Sequence, residues 1–268
     1  MRKVAVLLST YNGANYIKEL LDSILSQSYE NFTVIIRDDF STDNTLSIIN
    51  SYTDNRVMVI SGDKNLGSKR SFFELAKNSN DYDYYMFCDQ DDIWINNKIE
   101  LSVKEMEKLD SSNPILIYSD AFVTNKDLNI IHNSFIHYQK LPPRIKNNWK
   151  DLLSQNVIQG CTMCFNNKAK EIYVNNETYL LHHDHLLSVL VAKYGIIEYL
   201  DISLVKYRQH EENVLGSLNY NKSYILNKLL HLKDFIKQQR EIASFFSYPV
   251  LFLLVRKVKT NIYRILFK

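Results

Sequence analysis

Glycine and proline are scarce, with 6 and 4 among 268 residues, so few positions force a break in regular structure. Two glycine-dependent motifs are missing as well. Neither Gly-x-x-x-x-Gly-Lys-[Ser/Thr] nor Gly-x-Gly-x-x-Gly occurs, and a P-loop or dinucleotide fold would lack the backbone cradle its phosphates need. Cysteine appears only as Cys88, Cys161 and Cys164. One of the three must stay unpaired, and Cys161-x-x-Cys164 has no second ligand pair for a zinc site, so reduced cytosolic thiols are expected. No stretch approaches the ~20 apolar residues of a membrane span. The apolar run over residues 4–8 passes straight into Ser9-Thr10-Tyr11-Asn12, which reads as a buried first strand and not as a signal peptide.

Apolar residues, by contrast, are plentiful. At 46% they suffice for one large α/β domain, or a domain plus an appendage, and they exclude a disordered chain. The formal net charge of +2 hides an asymmetry: residues 222–268 carry 10 Lys/Arg against 2 Asp/Glu, or +8, which leaves −6 for the remainder. That split argues against a nucleic-acid-binding core and for a basic tail that meets an anionic surface.

Residues 3–9 read as a strand, and Ile17, Leu20, Leu21, Ile24 and Leu25 recur at helical spacing after a polar turn. A second strand over 32–37 ends on Asp38-Asp39, and Ser41-Thr42-Asp43 offers N-cap chemistry for a helix carrying Leu46, Ile48 and Ile49. A third strand covers 57–60, a helix 68–77, a fourth strand 84–88, a helix about 96–109 and a further strand 115–118, ending on Ser119-Asp120. Such alternation predicts crossover connections and a mostly parallel sheet.

The sharpest motif is Asp89-Gln90-Asp91-Asp92, where an apolar strand ends in three carboxylates within four residues. Open α/β sheets put their ligands at the carboxyl ends of strands, and oxygen donors at this spacing suit Mg²⁺ or Mn²⁺ carrying a phosphorylated substrate. The alternative is an acidic turn with Asp92 or Asn96 as N-cap of the next helix. Ser9-Thr10-Tyr11-Asn12 and Asp38-Asp39 end two other strands in the same way, so the three turns should converge at one edge. Together they offer a stacking surface, an acceptor for a base N–H and ribose contacts, while Lys69 and Arg70 after Gly67 supply cations for phosphate.

A second cluster is His182-His183-Asp184-His185. Its three imidazoles invite a metal reading, yet only His182 and His185 share a helical face. Asp184 either caps the helix over 186–194 or serves as general base toward an acceptor hydroxyl. Gly160, in a segment returning to the sheet, either permits a close backbone approach or sits in an ordinary turn. In the strand over 204–210, Arg208 offers a fork for a diphosphate, and His210 either completes a metal shell or is an ordinary strand-end imidazole.

In the tail, Ile225, Leu229, Leu232 and Ile236 form an apolar stripe against Lys228, Lys233, Lys237 and Arg240. Residues 245–255 are largely apolar, broken by Pro249 and followed by Arg256-Lys257-x-Lys259. That stretch suits a membrane interface. Docking on its own domain, or on a second subunit in a homodimer, is the competing expectation.

Taken in order, Ser9-Thr10-Tyr11-Asn12-Gly13, Asp38-Asp39 with Ser41-x-Asp43, and Asp89-x-Asp91-Asp92 resemble the motifs of the family 2 glycosyltransferases, over residues 1 to about 216. The segments over residues 87–94, His183-Asp184 and Tyr207-Arg208-Gln209-His210 are most similar to bacterial rhamnosyltransferase-like members that build surface polysaccharides. The resemblance implies an α/β GT-A fold with a Rossmann-like, mostly parallel central sheet flanked by helices. It places a nucleotide-binding half at about 1–120 and an acceptor-binding half at about 121–216, and the charge and apolar pattern beyond them sets a helical basic tail at 217–268.

It also implies roles. Tyr11 lies against the base, Asp39 accepts its N–H and Ser9 shares the nucleotide pocket. Asp89 reaches the ribose or the metal, Asp91 ligates a divalent cation (Mn²⁺ or Mg²⁺) bridging the diphosphate, and His210 stands at a late metal- or diphosphate-contacting position. Asp184 falls where the family carries its base in a Glu-Asp pair, here His183-Asp184. The implied reaction moves a sugar from a nucleotide-diphosphate donor, with dTDP-rhamnose preferred, to a glycan or lipid-linked saccharide at the cytoplasmic face of the membrane, with inversion. A sugar-phosphate nucleotidyltransferase and a non-catalytic nucleotide-sugar-binding assembly subunit are the alternatives. No nucleic acid is expected as a partner.

Overall fold

The computed structural model describes residues 1–141, 148–210 and 232–266. Its first part alternates strand and helix: β1 (Val4–Thr10), α1 (Ile17–Leu25), β2 (Phe32–Asp38), α2 (Thr45–Asn50), β3 (Val57–Ser61), α3 (Ser68–Asn78) and β4 (Tyr84–Cys88). These strands pair in parallel in the order β3-β2-β1-β4. The reason is visible in β1, which is apolar on both faces and feeds two cores by alternation. Val4, Val6 and Leu8 share one with Ile17, Leu20, Leu21 and Ile24 of α1. Ala5 and Leu7 share the other with Phe72, Phe73, Leu75 and Ala76 of α3.

The second part contains β5 (Ile93–Trp94), α4 (Lys98–Met106), β6 (Ile115–Thr124), β7 (Ile130–His132), α5 (Phe135–Tyr138) and α6 (Trp149–Ser154). A 3₁₀ turn at Gly160–Thr162 leads to β8 (Met163–Asn166), then α7 (Asn167–Asn175), α8 (His183–Tyr194) and β9 (Ile196–Arg208). The tail provides α9 (Leu232–Phe245) and α10 (Val250–Leu266). The sheet continues from β4 as β8-β6-β9-β5, with β7 beside β6. Here β8 is antiparallel to both of its neighbours, β5 is antiparallel to β9, and β6 with β9 is parallel. The expected α/β architecture is present, with its parallel pairing held by β1–β4 and the β6–β9 pair.

Several boundaries differ from expectation for local reasons. The helix after β4 starts at Lys98 with Asn97 at its N-cap, and Asp92, fully buried, does not cap it. Asn44 precedes α2 without a side-chain cap bond, and Asp43 supplies the expected capping chemistry one residue earlier, its Oδ1 accepting the Thr45 N–H at 2.9 Å. Residues 41–43 also stitch the first two strand-end loops together: Asn12 N–H donates to Ser41 Oγ (2.9 Å), Thr42 N–H to Asn12 Oδ1 (2.9 Å) and Ala14 N–H to Asp43 Oδ2 (3.1 Å). The strand through residue 118 runs on to Thr124 and is irregular at Asp120, where the register with β9 jumps. Asp120 is therefore no strand end. Its carboxylate accepts the backbone N–H groups of Ala121 (2.8 Å) and Phe135 (2.9 Å), which pins α5 to the sheet.

The tail packs on the domain. Ile242, Ala243 and Phe246 around the end of α9, with Leu253 of α10, enter the core shared by α3, α6 and α8. Arg256 pairs with Asp151, and Lys257 Nζ donates to Ser154 O (2.8 Å), both on α6. Ile225, Leu229 and Lys228 of the expected stripe, and the expected boundary at 216/217, lie outside the described residues. Among those described, no helix is long and apolar enough to cross a membrane.

Gly195, between α8 and β9, is required by a close approach: a Cβ built there would lie 2.0 Å from Pro114 O. That carbonyl accepts the Ile196 N–H (2.9 Å) at the point where β6 and β9 come together. Gly195→Ala should lower unfolding stability by about 1–3 kcal/mol, measured as a lower urea midpoint at unchanged slope.

Candidate active site

The carboxyl ends of β1, β2 and β4 open into one pocket of about 850 Å³. Its wall includes Ser9, Tyr11, Asp39, Asp89, Asp91, Asp184 and His210, so seven expected site residues from five separate chain segments meet in one place. Tyr11 is exposed, with its ring available for stacking. Gln90, whose role has no sequence signal beyond its place between two carboxylates, latches this rim. Its Oε1 accepts from Thr10 Oγ1 (2.7 Å) and Tyr11 N–H (2.8 Å), and its Nε2 donates to Tyr11 O (3.2 Å). Asp39 is nearly buried and accepts the N–H groups of Leu66 (3.0 Å) and Gly67 (2.8 Å), which holds the turn before α3 against the pocket.

The acidic turn divides its labour by burial. Asp92 points inward, accepting Arg208 N–H at 3.2 Å and the Cys161 thiol. Burial foremost, then the neighbouring Asp91 and Asp89 charges, raises its pKa well above the ordinary carboxylate value. Asp89 is raised to about 7 by burial first and then by Asp91 and Asp184. Asp91 meets His210 Nε2 at 2.8 Å. His210 in turn stacks on Tyr16, with ring centroids 4.6 Å apart, and the Arg208 guanidinium lies 5.0 Å from the opposing Tyr16 ring centroid. Tyr16, just ahead of α1, carried no sequence signal because its partners come from the far end of the domain.

Three expected phosphate-binding cations face elsewhere. Arg208 donates to Asp91 O (2.9 Å), Lys126 O (2.9 Å) and Glu19 Oε2 (2.5 Å). It therefore braces the acidic turn from behind and is no diphosphate fork in this structure. Lys69 Nζ donates to Tyr179 O at 3.0 Å, and Arg70 lies over the Tyr179 ring at 4.6 Å. Gly67 at the N-cap of α3 and Ser68 and Phe72 within it reach the pocket wall, and Lys69 and Arg70 do not, since successive helical residues rotate away by about 100°.

Asp184 is in the first turn of α8, whose N-cap is His182. Its carboxylate accepts from Asn156 Nδ2 (3.0 Å) and His185 N–H (2.7 Å). Burial outweighs these bonds and raises its pKa to about 6. The imidazoles do not gather round it. His183 is buried in a stack on Phe72 (3.8 Å between centroids), and burial lowers its pKa to about 3. His185 bonds Leu152 O through Nε2 at 2.7 Å and is likewise lowered to about 3 by burial. Both are neutral core groups, which removes the histidine-cluster metal reading. Gly160 is the close approach: a Cβ there would lie 2.7 Å from His183 Nε2.

A divalent cation fits this donor set. Asp89, Asp91 and His210 offer carboxylate oxygens and an imidazole, and the raised pKa of Asp89 marks negative charge that no lysine or arginine among the described residues offsets at the pocket wall. The tightest acidic cluster among the described residues is Asp89 with Asp92 and Cys161. Asp92 is fully buried there, however, and burial holds the Cys161 thiol protonated, so this set is a poor cradle for a hydrated ion that must also touch a ligand.

Comparison with known proteins gives a consistent result. A family model described as glycosyl transferase family 2 matches residues 5–173. The dTDP-rhamnosyl transferase RfbG of Shigella flexneri is 28% identical over 256 residues, covering 88% of this chain and 83% of that protein. The UDP-Glc:alpha-D-GlcNAc-diphosphoundecaprenol beta-1,3-glucosyltransferase WfaP of Escherichia coli is 34% identical over 110 residues, 40% of this chain and 42% of that one. Among solved structures, the mannosyltransferase PcManGT of Pyrobaculum calidifontis, in complex with GDP-Man and Mn²⁺, superposes with a TM-score of 0.60 at 15% identity, covering 99% of this chain and 70% of that chain. At that identity the likeness speaks for the fold.

Asn156 stabilises the ionised form of Asp184. Asn156→Ala should raise the Asp184 pKa above its present value of about 6, displacing the acid limb of any Asp184-dependent rate toward higher pH. A pH–rate profile of the variant beside the wild type measures it.

Proposed function

The chain belongs to glycosyl transferase family 2, and from that premise we propose that it transfers a sugar from a nucleotide-diphosphate donor to a saccharide hydroxyl with inversion at C1. The observation that carries this reading is the meeting of Asp184 with Asp89, Asp91 and His210 in one pocket. A base carboxylate and an acidic, imidazole-bearing diphosphate site in the same cavity are what a single displacement needs.

In this reading Tyr11 stacks on the base while Ser9 and Asp39 border the nucleotide. Asp184 Oδ takes the proton from the acceptor hydroxyl as its oxygen bonds to C1, and the bond from C1 to the diphosphate oxygen breaks. A divalent cation, Mn²⁺ or Mg²⁺, held by Asp91, Asp89 and His210 would neutralise the departing diphosphate. A carboxyl with a pKa near 6 is ionised at neutral pH yet more basic than an exposed aspartate, which suits a general base. The turn at Leu66 and Gly67, fixed by Asp39, closes the donor side of the cavity, and residues 155–160 form the side facing Asp184.

The relative from Shigella flexneri supports dTDP-rhamnose as donor, and that from Escherichia coli supports an acceptor carried on a lipid diphosphate. Work on such an acceptor goes with a peripheral position at the inner face of the membrane, in the synthesis of a cell-surface polysaccharide.

With Mn²⁺ and a panel of nucleotide sugars, nucleoside diphosphate should be released in an acceptor-dependent way; release of pyrophosphate would point to nucleotidyl transfer and overturn the reading. Asp184→Asn should keep donor binding and lose about 10²–10⁴-fold in transfer, whereas Asp91→Ala should lose metal-dependent donor binding in calorimetry. Because Asp184 acts ionised, the wild-type rate should fall as pH drops through about 6, or through a lower value once a cation sits beside Asp89 and Asp91.

A further inference from the structure

Helix α10 is apolar on two opposite sides. Leu253 and Thr260 are buried against the domain, on the side where Arg256 pairs with Asp151 and Lys257 bonds Ser154 O. On the other side Leu251, Phe252, Val255, Val258 and Ile262 stand 67%, 57%, 56%, 57% and 50% exposed. Their spacing places them on one continuous face. Packing on the domain therefore accounts for one apolar side of this helix and leaves the second uncovered by any described residue. A contiguous exposed stripe of this kind marks a surface that meets something apolar.

We infer that this outward face of α10 docks on the interface of an anionic lipid bilayer. The charge pattern favours a bilayer over a second copy of the chain. Lys259 is exposed beside the stripe and α10 carries no Asp or Glu, while on α9 Lys233, Lys237 and Arg240 are exposed together with Asp234 and Glu241. Pairing two α10 faces would bring Lys259 against a helix with no acid to receive it, whereas anionic headgroups complement it. Leu251 to Ile262 spans about 16 Å of helix, which suits a helix lying in the interface and is far short of a span.

The inner side of α10 grips α6, and the chain leaving α6 supplies Gln155, Asn156 and Gly160 to the pocket wall. Docking would thus place α10 between the bilayer and α6, whose following segment carries the Asn156 contact to Asp184. The inference rests on the transferase reading only for the identity of the lipid-linked acceptor delivered there.

The test is co-sedimentation of the full chain with vesicles of phosphatidylcholine alone and of phosphatidylcholine mixed with phosphatidylglycerol. Wild type should partition onto the mixed vesicles and little onto the zwitterionic ones. Leu251→Glu with Val255→Glu should lose about tenfold or more of that binding, and Lys259→Gln about fivefold, both with unchanged circular dichroism and unchanged transfer to a soluble acceptor. Equal partition of wild type and the double variant, or no preference for anionic vesicles, overturns the inference. So does a concentration-dependent dimer in sedimentation velocity that the same double variant disperses, which would give the face to a second copy. Failure of the transferase reading would show separately, as absence of nucleoside diphosphate release in solution.

Discussion

Carboxylates crowded at the end of a parallel strand are the constraint on which this structure turns. Asp89, Asp91 and Asp92 follow the buried β4, and Asp184 arrives from α8, so four acids share a poorly solvated edge. The Asp91 and Asp184 charges add to the cost of ionising Asp89, and those of Asp91 and Asp89 to the cost at Asp92. The surrounding groups follow from this. Arg208 braces the Asp91 carbonyl and offers its own N–H to Asp92, His210 meets Asp91 directly, and Lys98, wholly buried over the Trp94 ring, lies within electrostatic reach of Asp92. On the pocket side no lysine or arginine side chain among the described residues reaches the wall, and that is where the proposed cation would offset the charge.

Much of the catalytic half was legible because β-strands advertise themselves by unbroken apolar runs and their ends by abrupt polarity. The convergence of Ser9, Tyr11, Asp39, Asp89 and Asp91 followed from that pattern and from parallel topology. Side-chain direction was not legible. Arg208, Lys69 and Arg70 have the right charge and neighbourhood for phosphate, and their chain positions said nothing of the backbone carbonyls of Lys126 and Tyr179 that satisfy two of them. Asp92 looked like a cap because capping is local, whereas its partners, Arg208 at the end of β9 and Cys161 in the 3₁₀ turn before β8, come from segments remote in sequence.

The histidines make the same point in reverse. Three imidazoles about an aspartate suggested a metal centre, yet His183 and His185 serve as neutral packing groups, one on Phe72 and one on the Leu152 carbonyl. An imidazole has both an aromatic face and a titrating edge, and only the tertiary surroundings decide which is used. The tail shows a related limit. A helix apolar on two sides reads as either a membrane helix or a docked one when a single interface is assumed, and the structure has one of its sides already filled.

The ion pair between Glu19 on α1 and Arg208 at the end of β9 joins residues 189 positions apart. A nascent chain therefore emerges with its first strand-end loop and its acidic turn complete while the brace behind that turn is still unmade. At synthesis rates of about 5–20 residues per second, the 116 residues that separate Asp92 from Arg208 take on the order of 6–23 s. The brace forms only once β9, the last strand of the sheet in chain order, has been made, so the final geometry of the acidic turn belongs to the whole sheet and not to its parallel half alone.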